Sequence, residues 1–137
     1  MIEKMTDPDW GSLNKFFKKE EFDCPDATGS GNEMSKEFVK WLYNMRSVLG
    51  FPIVISKGGG YRTTEYQEKH GGTKGKESDH TQGMGVDVKC TDSSQRYAIF
   101  DYCIRNGIKR LEICDRHVHI GYSMTLPQNV LIWGKSK

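Results

Sequence analysis

The chain has 137 residues, a length that fits one compact domain and leaves little room for a second. It carries 20 Lys and Arg against 18 Asp and Glu, so it lacks the basic excess of a nucleic-acid-binding domain. No run of 18 apolar residues suggests a membrane segment, and no signal-peptide pattern follows Met1. We expect a single, monomeric domain over residues 1–137 that is made in the cytoplasm without a signal peptide.

The first half of the chain predicts a loose end, a long helix and a short strand. Residues 1–12 have the composition of a loosely fixed N-terminal end. Apolar side chains recur at three- and four-residue steps over residues 34–49, which predicts an amphipathic helix that Ser35 caps and Gly50 ends. The apolar run FPIVIS, residues 51–56, predicts a short buried strand.

The second half alternates between helices and strands around one long polar loop. Its predicted elements are, in chain order, a short helix over 64–69, a glycine-rich loop over 70–83, a strand over 85–90, a second amphipathic helix over 93–106, and strand runs over 111–122 and 129–133. Two main helices on a small, mostly antiparallel sheet make an α+β domain. A long loop inside a compact domain favours a functional role, and this one ends at candidate ligands.

The cysteine pattern predicts reduced thiols. The four cysteines are far apart in the sequence and form no C-x-x-C motif: Cys24, Cys90, Cys103 and Cys114. In a chain without a secretion signal, such cysteines are expected to be reduced and buried as small apolar side chains. A zinc site built from all four is the less favoured alternative.

A first pair of candidate metal ligands, His80 and Asp87, lies seven residues apart. On one continuous strand this spacing would direct the two side chains to opposite faces. Gly83 and Gly85 allow a sharp turn between them, so that His80 can extend from a loop while Asp87 projects from a strand. Zinc binds such nitrogen and oxygen ligands, and catalytic zinc sites use three of them. The alternative is a solvated surface histidine and a turn-capping aspartate.

A second cluster follows in the strand run, where Asp115, His117 and His119 alternate and therefore share one predicted face. Val118 and Ile120 take the opposite, buried face. Three polar groups on one face must pair with one another or bind something, because burying them unpaired is costly. The two clusters together favour a metal site, although an H-x-H pair alone is weak.

Residues 78–87 read S-D-H-T-Q-G-M-G-V-D. They resemble the S-x-H-x-x-G-x-A-x-D signature of the zinc D-alanyl-D-alanine carboxypeptidase and peptidoglycan endopeptidase family, which shares its fold with the hedgehog signalling domain. Gly85 stands in place of the signature's alanine. Four further segments resemble family motifs, within a match that runs over about residues 16–122: F-D-C-P at 22–25, G-G-Y-R at 59–62, G-G at 71–72 and R-H-V-H at 116–119.

The resemblance implies that one Zn²⁺ is bound by His80, Asp87 and His119. It also implies that Arg62 faces a carboxylate or carbonyl oxygen of the substrate, a role that the planar guanidinium fork suits. The residues that the resemblance assigns to substrate binding are Tyr61, Arg62 and Ser78.

The general base is left open between two acidic residues. Family members carry an acidic residue a few positions before the last histidine. Asp115 lies on the predicted strand face of His119, whereas Glu112 points away unless the strand bulges. His117 would stabilise the oxyanion or deliver a proton. Gly121 stands where many relatives have aspartate, so that any role of this aspartate is absent or has moved to His117.

The implied function is hydrolysis of an amide bond in peptidoglycan stem peptides, by a phage endolysin or a wall-remodelling enzyme. Without a signal peptide, such an enzyme would reach the wall through a holin or inside a virion. A different class of function is a zinc-binding but non-catalytic assembly module of the same fold. An unrelated α+β domain without metal is the third hypothesis, which a match over five segments disfavours.

Overall fold

The computed structural model describes residues 2–70 and 78–128, together with the backbone of 130–133. Its elements, in chain order, are α1 (Asp7–Leu13), α2 (Lys36–Leu49), α3 (Thr64–His70), β1 (Gly85–Lys89), α4 (Ser93–Arg105), β2 (Arg110–Ile113), β3 (His117–Gly121) and β4 (Val130–Trp133), with short 3₁₀ turns at Lys19–Phe22 and Ser30–Glu33. The predicted α+β class, with α2 and α4 as its two main helices, is confirmed.

The four strands form one sheet in the order β1-β3-β2-β4. β3 pairs antiparallel with β1 and β2, while β4 runs parallel to β2 along one edge. The prediction of a mostly antiparallel sheet is therefore confirmed. The pairing register sets the site, because residues that face each other across strands share one side of the sheet.

The two main helices begin and end where their sequences predict. Ser35 Oγ accepts a hydrogen bond from Phe38 N at 3.2 Å, and Gly50 ends α2 with a left-handed φ of 79°. Asp92 caps α4 in the same way, accepting from Gln95 N at 2.9 Å. The buried face of α2 stabilises the fold by roughly 1.5–3 kcal/mol for each large apolar side chain. Its members are Phe38, Val39, Leu42 and Met45.

The N-terminal end differs from the loose segment that we expected. Trp10 and Leu13 of α1 are buried, and the Trp10 indole N–H donates to Asn32 Oδ1 at 2.7 Å. Met5 N also donates to the carbonyl of Met34 at 3.0 Å. These contacts join residues more than twenty positions apart, so the local sequence of residues 1–12 does not predict them.

The strand expected over residues 51–56 is reduced to a single bridge between Ile55 and Val88. The segment still runs beside β1, since Lys89 N donates to the Val54 carbonyl at 2.8 Å. Pro52 has no N–H to donate, which shortens any ladder that this segment can form. The run over 111–122 also divides, because a tight turn separates β2 from β3.

The four cysteines are free and buried, as predicted. Burial raises the pKa of Cys103 to about 12. Burial and the nearby charges of Glu112 and Asp87 raise the pKa of Cys114 to about 11. Both thiols are therefore protonated at neutral pH.

No helix in the described part of the chain is long and apolar enough to cross a membrane. Gly71 and Gly72, which carried part of the resemblance, lie outside the described residues, as does half of the loop over 70–83.

Candidate metal centre

Three side chains from separate elements converge in a cluster that can hold a metal ion. His80, Asp87 and His119 each offer one ligand atom, and these atoms lie within 4.8 Å of one another. Asp87 and His119 face each other directly in the β1–β3 register. His80 reaches them from the turn before β1. The structure therefore brings together the three residues that the sequence predicted as ligands.

Ser78 holds the turn that carries His80. The Ser78 hydroxyl accepts a hydrogen bond from Thr81 N at 3.0 Å, and Gly83 N donates to the His80 carbonyl at 3.1 Å. A serine in this position stabilises a turn by replacing a backbone partner. Ser78 is itself buried, so its described contacts serve the turn.

Gly83 fixes this turn against the start of α2. Its φ is 71°, and a Cβ at this position would lie 2.2 Å from the carbonyl oxygen of Glu33. Ser35 N donates to the Gly83 carbonyl at 2.9 Å. Only glycine fits both the backbone conformation and the space, so the glycine of the signature anchors the His80 turn on the helix.

The carboxylate of Asp87 is shared between an arginine and three histidines. Arg62 donates to Oδ2 at 2.9 Å, while Oδ1 lies 3.0 Å from His119 Nδ1, 3.4 Å from His80 Nε2 and 3.7 Å from His117 Nε2. Burial alone would raise the pKa of Asp87, but His80 and His119 hold it well below its ordinary value. Asp87 is therefore ionised at neutral pH, as a metal ligand must be.

His80 presents one ring nitrogen to the cluster. Its Nδ1 lies 2.9 Å from the Gly60 carbonyl and donates to it, which leaves Nε2 without a proton and directed at Asp87. Burial lowers the pKa of His80, although Asp87 acts in the opposite direction. A neutral imidazole with a fixed tautomer is the form that binds metals.

His119 contacts carboxylates through both ring nitrogens. Nδ1 lies 3.0 Å from Asp87 Oδ1, and Nε2 lies 2.9 Å from Asp79 Oδ2. Burial alone would lower the pKa of His119, but the hydrogen bonds to Asp79 and Asp87 raise it to about 9. In the absence of a metal ion, His119 is therefore protonated at neutral pH.

Asp79 and Arg110 form an ion pair beside the cluster that the sequence patterns do not predict. Arg110 Nε lies 3.0 Å from Asp79 Oδ1, and a second guanidinium nitrogen lies 3.1 Å from Oδ2. Burial would raise the pKa of Asp79, but His119 and Arg110 lower it. The available signal was weak, because Asp79 occupies a variable position of the signature and Arg110 is 31 residues away.

The donor set fits zinc. Catalytic zinc sites combine histidine nitrogens with a carboxylate oxygen and use three protein ligands, which leaves a position for water. Two histidines and one aspartate meet here, and partners outside the cluster fix their orientation.

A family model described as Peptidase M15 matches residues 15–121, a span that includes all three candidate ligands. The chain belongs to the Peptidase M15 family. This family comprises zinc-dependent peptidases of the D-alanyl-D-alanine carboxypeptidase type, so membership agrees with the donor set. No curated protein and no solved structure matched the chain in the other two comparisons.

The two candidate bases of this M15 peptidase lie in different places from those expected. Asp115 is exposed in the turn between β2 and β3, so the prediction that it shares a strand face with His119 is wrong. Glu112 faces His119 directly in the β2–β3 register, so the prediction that it points away is also wrong. The turn residues reverse the chain, and counting alternate positions through them gives the wrong face.

The residues predicted to contact the substrate make contacts within the protein instead. Arg62 is occupied with the protein itself: besides Asp87, it donates to the Gly58 carbonyl at 2.7 Å and to Gln67 Oε1 at 3.1 Å. Tyr61 is half-buried against the core, and its backbone N–H donates to the Phe22 carbonyl. These contacts make Arg62 a support for Asp87 in this M15 peptidase.

Proposed function

We propose that this M15 peptidase hydrolyses an amide bond in the stem peptides of peptidoglycan, with one Zn²⁺ bound by His80, Asp87 and His119. The observation that carries the proposal is the convergence of these ligands on the sheet face that also carries Glu112. Family membership supports the peptidase chemistry. When bound, zinc supplies Lewis-acid polarisation of the scissile carbonyl and lowers the pKa of a water molecule to about 7.

Glu112 is our choice for the general base. It projects from β2 on the sheet face that carries Asp87 and His119, and it is only partly buried. A base must lie within hydrogen-bond reach of the proton that it accepts. In the proposed reaction Glu112 takes a proton from the attacking water and returns it to the amine that leaves.

We assign to His117 the role of donor to the carbonyl oxygen as negative charge develops there. It shares a strand face with His119, and its Nε2 lies 3.7 Å from Asp87 Oδ1. Its side chain is 23% exposed, more than that of His119, so it lies on the open side of the cluster. A well-placed donor to an oxyanion contributes about 3–4 kcal/mol to the rate.

A cavity of about 370 Å³ near this face supports a peptide substrate with charges of both signs. The residues that line it include the acidic Glu20 and Glu21 and the basic Lys57 and Lys89. Lys89 faces His117 in the β1–β3 register, which joins the cavity to the candidate site. Stem peptides carry both carboxylates and amines, and such a wall can pair with each.

The bond that we assign is a D-Ala-D-Ala, L-Ala-D-Glu or cross-link amide. The role that we infer is that of a phage lysin, released by a holin or carried in a virion, or of a wall-remodelling enzyme. The M15 match supports a wall peptide as the substrate, and the balanced charge gives no support to nucleic acid.

The test is a parallel measurement of metal content and cleavage. The wild-type protein and His80→Ala are purified, reconstituted with zinc, and analysed for zinc per chain and for amino groups released from purified peptidoglycan. We expect one zinc per wild-type chain and cleavage products whose new termini identify the bond, both lost in His80→Ala. Stoichiometric zinc without cleavage of any wall preparation would support the non-catalytic module. Absence of zinc after reconstitution would refute the metal centre.

A further inference from the structure

The carboxylate of Asp79, which lies in the turn before β1, occupies the space beside His119. Gly85 and Gly121 face each other across β1 and β3, so neither of these paired positions carries a side chain. A Cβ on Gly85 would lie 2.4 Å from Asp79 Cβ, and a Cβ on Gly121 would lie 2.3 Å from Asp79 Oδ2. Asp79 therefore fills the volume that side chains at these two positions would occupy.

The orientation of this carboxylate is fixed from its other side. Arg110 contacts both oxygens of Asp79, and Arg110 itself donates to the Pro127 carbonyl at 2.6 Å. The Asp79 side chain is 2% exposed. A buried, two-oxygen pair of this kind has little freedom to rotate, because each alternative leaves a charge unpaired.

Asp79 Oδ2 then accepts a hydrogen bond from His119 Nε2 at 2.9 Å. A proton held on Nε2 leaves Nδ1 as the nitrogen for a metal, and Nδ1 is the atom that lies against Asp87. His80 uses the opposite arrangement, since its Nδ1 bonds the Gly60 carbonyl and its Nε2 faces Asp87. The two histidines therefore face Asp87 with different ring nitrogens.

We propose that Asp79, held by Arg110, is a positioning residue of the metal centre that orients the His119 ring through its contact with Nε2. The inference rests on the metal-binding part of the proposed function and is independent of the bond that is cut. It also gives Gly85 and Gly121 a joint structural reason. Both departures from the family motifs make room for the Asp79 carboxylate.

The first test measures zinc affinity by competition with a chromophoric chelator, without any activity assay. We expect Asp79→Ala to bind zinc about 10- to 100-fold more weakly than wild type, and the exposed Asp115→Ala, which removes the same charge, to bind as wild type. Asp79→Asn keeps the shape and an acceptor, and it should lie between the two. Wild-type affinity in Asp79→Ala, or in Asp79→Asn if the alanine variant does not fold, overturns the proposal.

The second test uses the contact between Gly121 and Asp79. Gly121→Ala places a methyl group where the carboxylate lies, so it should weaken zinc binding when Asp79 is present and have little effect in an Asp79→Ala background. Equal effects in both backgrounds overturn the proposal. Nitrogen NMR of the zinc-loaded wild type provides the direct readout: we expect a proton held on His119 Nε2 in a hydrogen bond to Asp79, and an Nε2 without this proton overturns the proposal. None of these readouts depends on hydrolysis.

Discussion

Glu112 and His119 lie directly opposite each other in the antiparallel pairing of β2 and β3. Side chains that face each other across such strands have Cβ atoms about 4.5–5.5 Å apart, which places the Glu112 carboxylate at the border of the candidate metal centre. The neighbouring acidic residue, Asp115, is exposed in the turn. Glu112 and Asp115 therefore form a matched pair of acidic residues for testing which one is the general base.

We expect Glu112→Gln to lower the rate of peptide-bond cleavage by about 100-fold or more while zinc binding persists, because a positioned base contributes roughly 10²–10⁴-fold. Asp115→Asn should stay within about threefold of wild type, since an exposed turn residue accepts no proton at the site. Initial rates at saturating zinc measure both variants. The reverse result, with Asp115→Asn inactive and Glu112→Gln active, would return the role to Asp115.

We expect Arg62 to support zinc binding, through Asp87, rather than substrate binding. It makes three hydrogen bonds, to Gly58, Gln67 and Asp87, and a lysine cannot reproduce this planar arrangement. We expect Arg62→Lys to weaken zinc binding by about 10- to 100-fold and to leave KM unchanged at saturating zinc. Arg116→Lys, on an exposed arginine, is the control. A raised KM with unchanged zinc affinity would show that Arg62 contacts substrate.

At pH 7.5 the ligands should release about one proton for each zinc ion that binds, in addition to the proton that zinc-bound water releases as it ionises near pH 7. In the metal-free protein the pKa of His119 is raised to about 9, so His119 must lose its proton, whereas burial lowers the pKa of His80 and leaves it neutral. The affinity for zinc should therefore rise with pH, by up to about tenfold per pH unit, until the pH exceeds the pKa of His119. Calorimetry in buffers of different ionisation enthalpy measures the proton count. Affinity that stays constant between pH 6.5 and pH 8.5 would contradict this assignment.

Gly83→Ala should lower the free energy of unfolding by more than about 2 kcal/mol. About 1 kcal/mol of this loss comes from the left-handed φ, and the rest comes from the clash of the added Cβ. The added Cβ would lie 2.2 Å from the Glu33 carbonyl oxygen, and backbone atoms there cannot move aside. Gly50 has a similar φ of 79° with open space around its Cβ position, so Gly50→Ala isolates the conformational part. Urea unfolding of the metal-free proteins compares the two. Equal losses would show that the turn at Gly83 adapts.

The ligands were predictable because the information about them is local. His80 and Asp87 lie within one ten-residue signature, and His119 lies in a short alternating strand whose buried face Val118 and Ile120 mark. The caps of α2 were predictable for the same reason, since Ser35 and Gly50 act within one turn of the helix ends.

The supporting contacts were not predictable, because each joins distant residues. Asp79 meets Arg110 across 31 positions, and Arg62 meets Asp87 across 25. The sheet face on which Glu112 lies depends on the length of the turn between β2 and β3. The alternation of polar and apolar residues does not reveal this length. An arginine next to a tyrosine resembles a substrate contact in sequence, and only the fold shows that Asp87 occupies its guanidinium group.

The four buried thiols have a consequence for the conditions under which this protein keeps its structure. No disulfide ties the fold together, and the candidate ligand set contains no sulfur. Protonated, buried thiols such as Cys103 react slowly with oxidants, because the thiolate is the reactive form. Reductants therefore have no disulfide to break in this domain, and the buried Cys103 thiol is a poor target for mild oxidants.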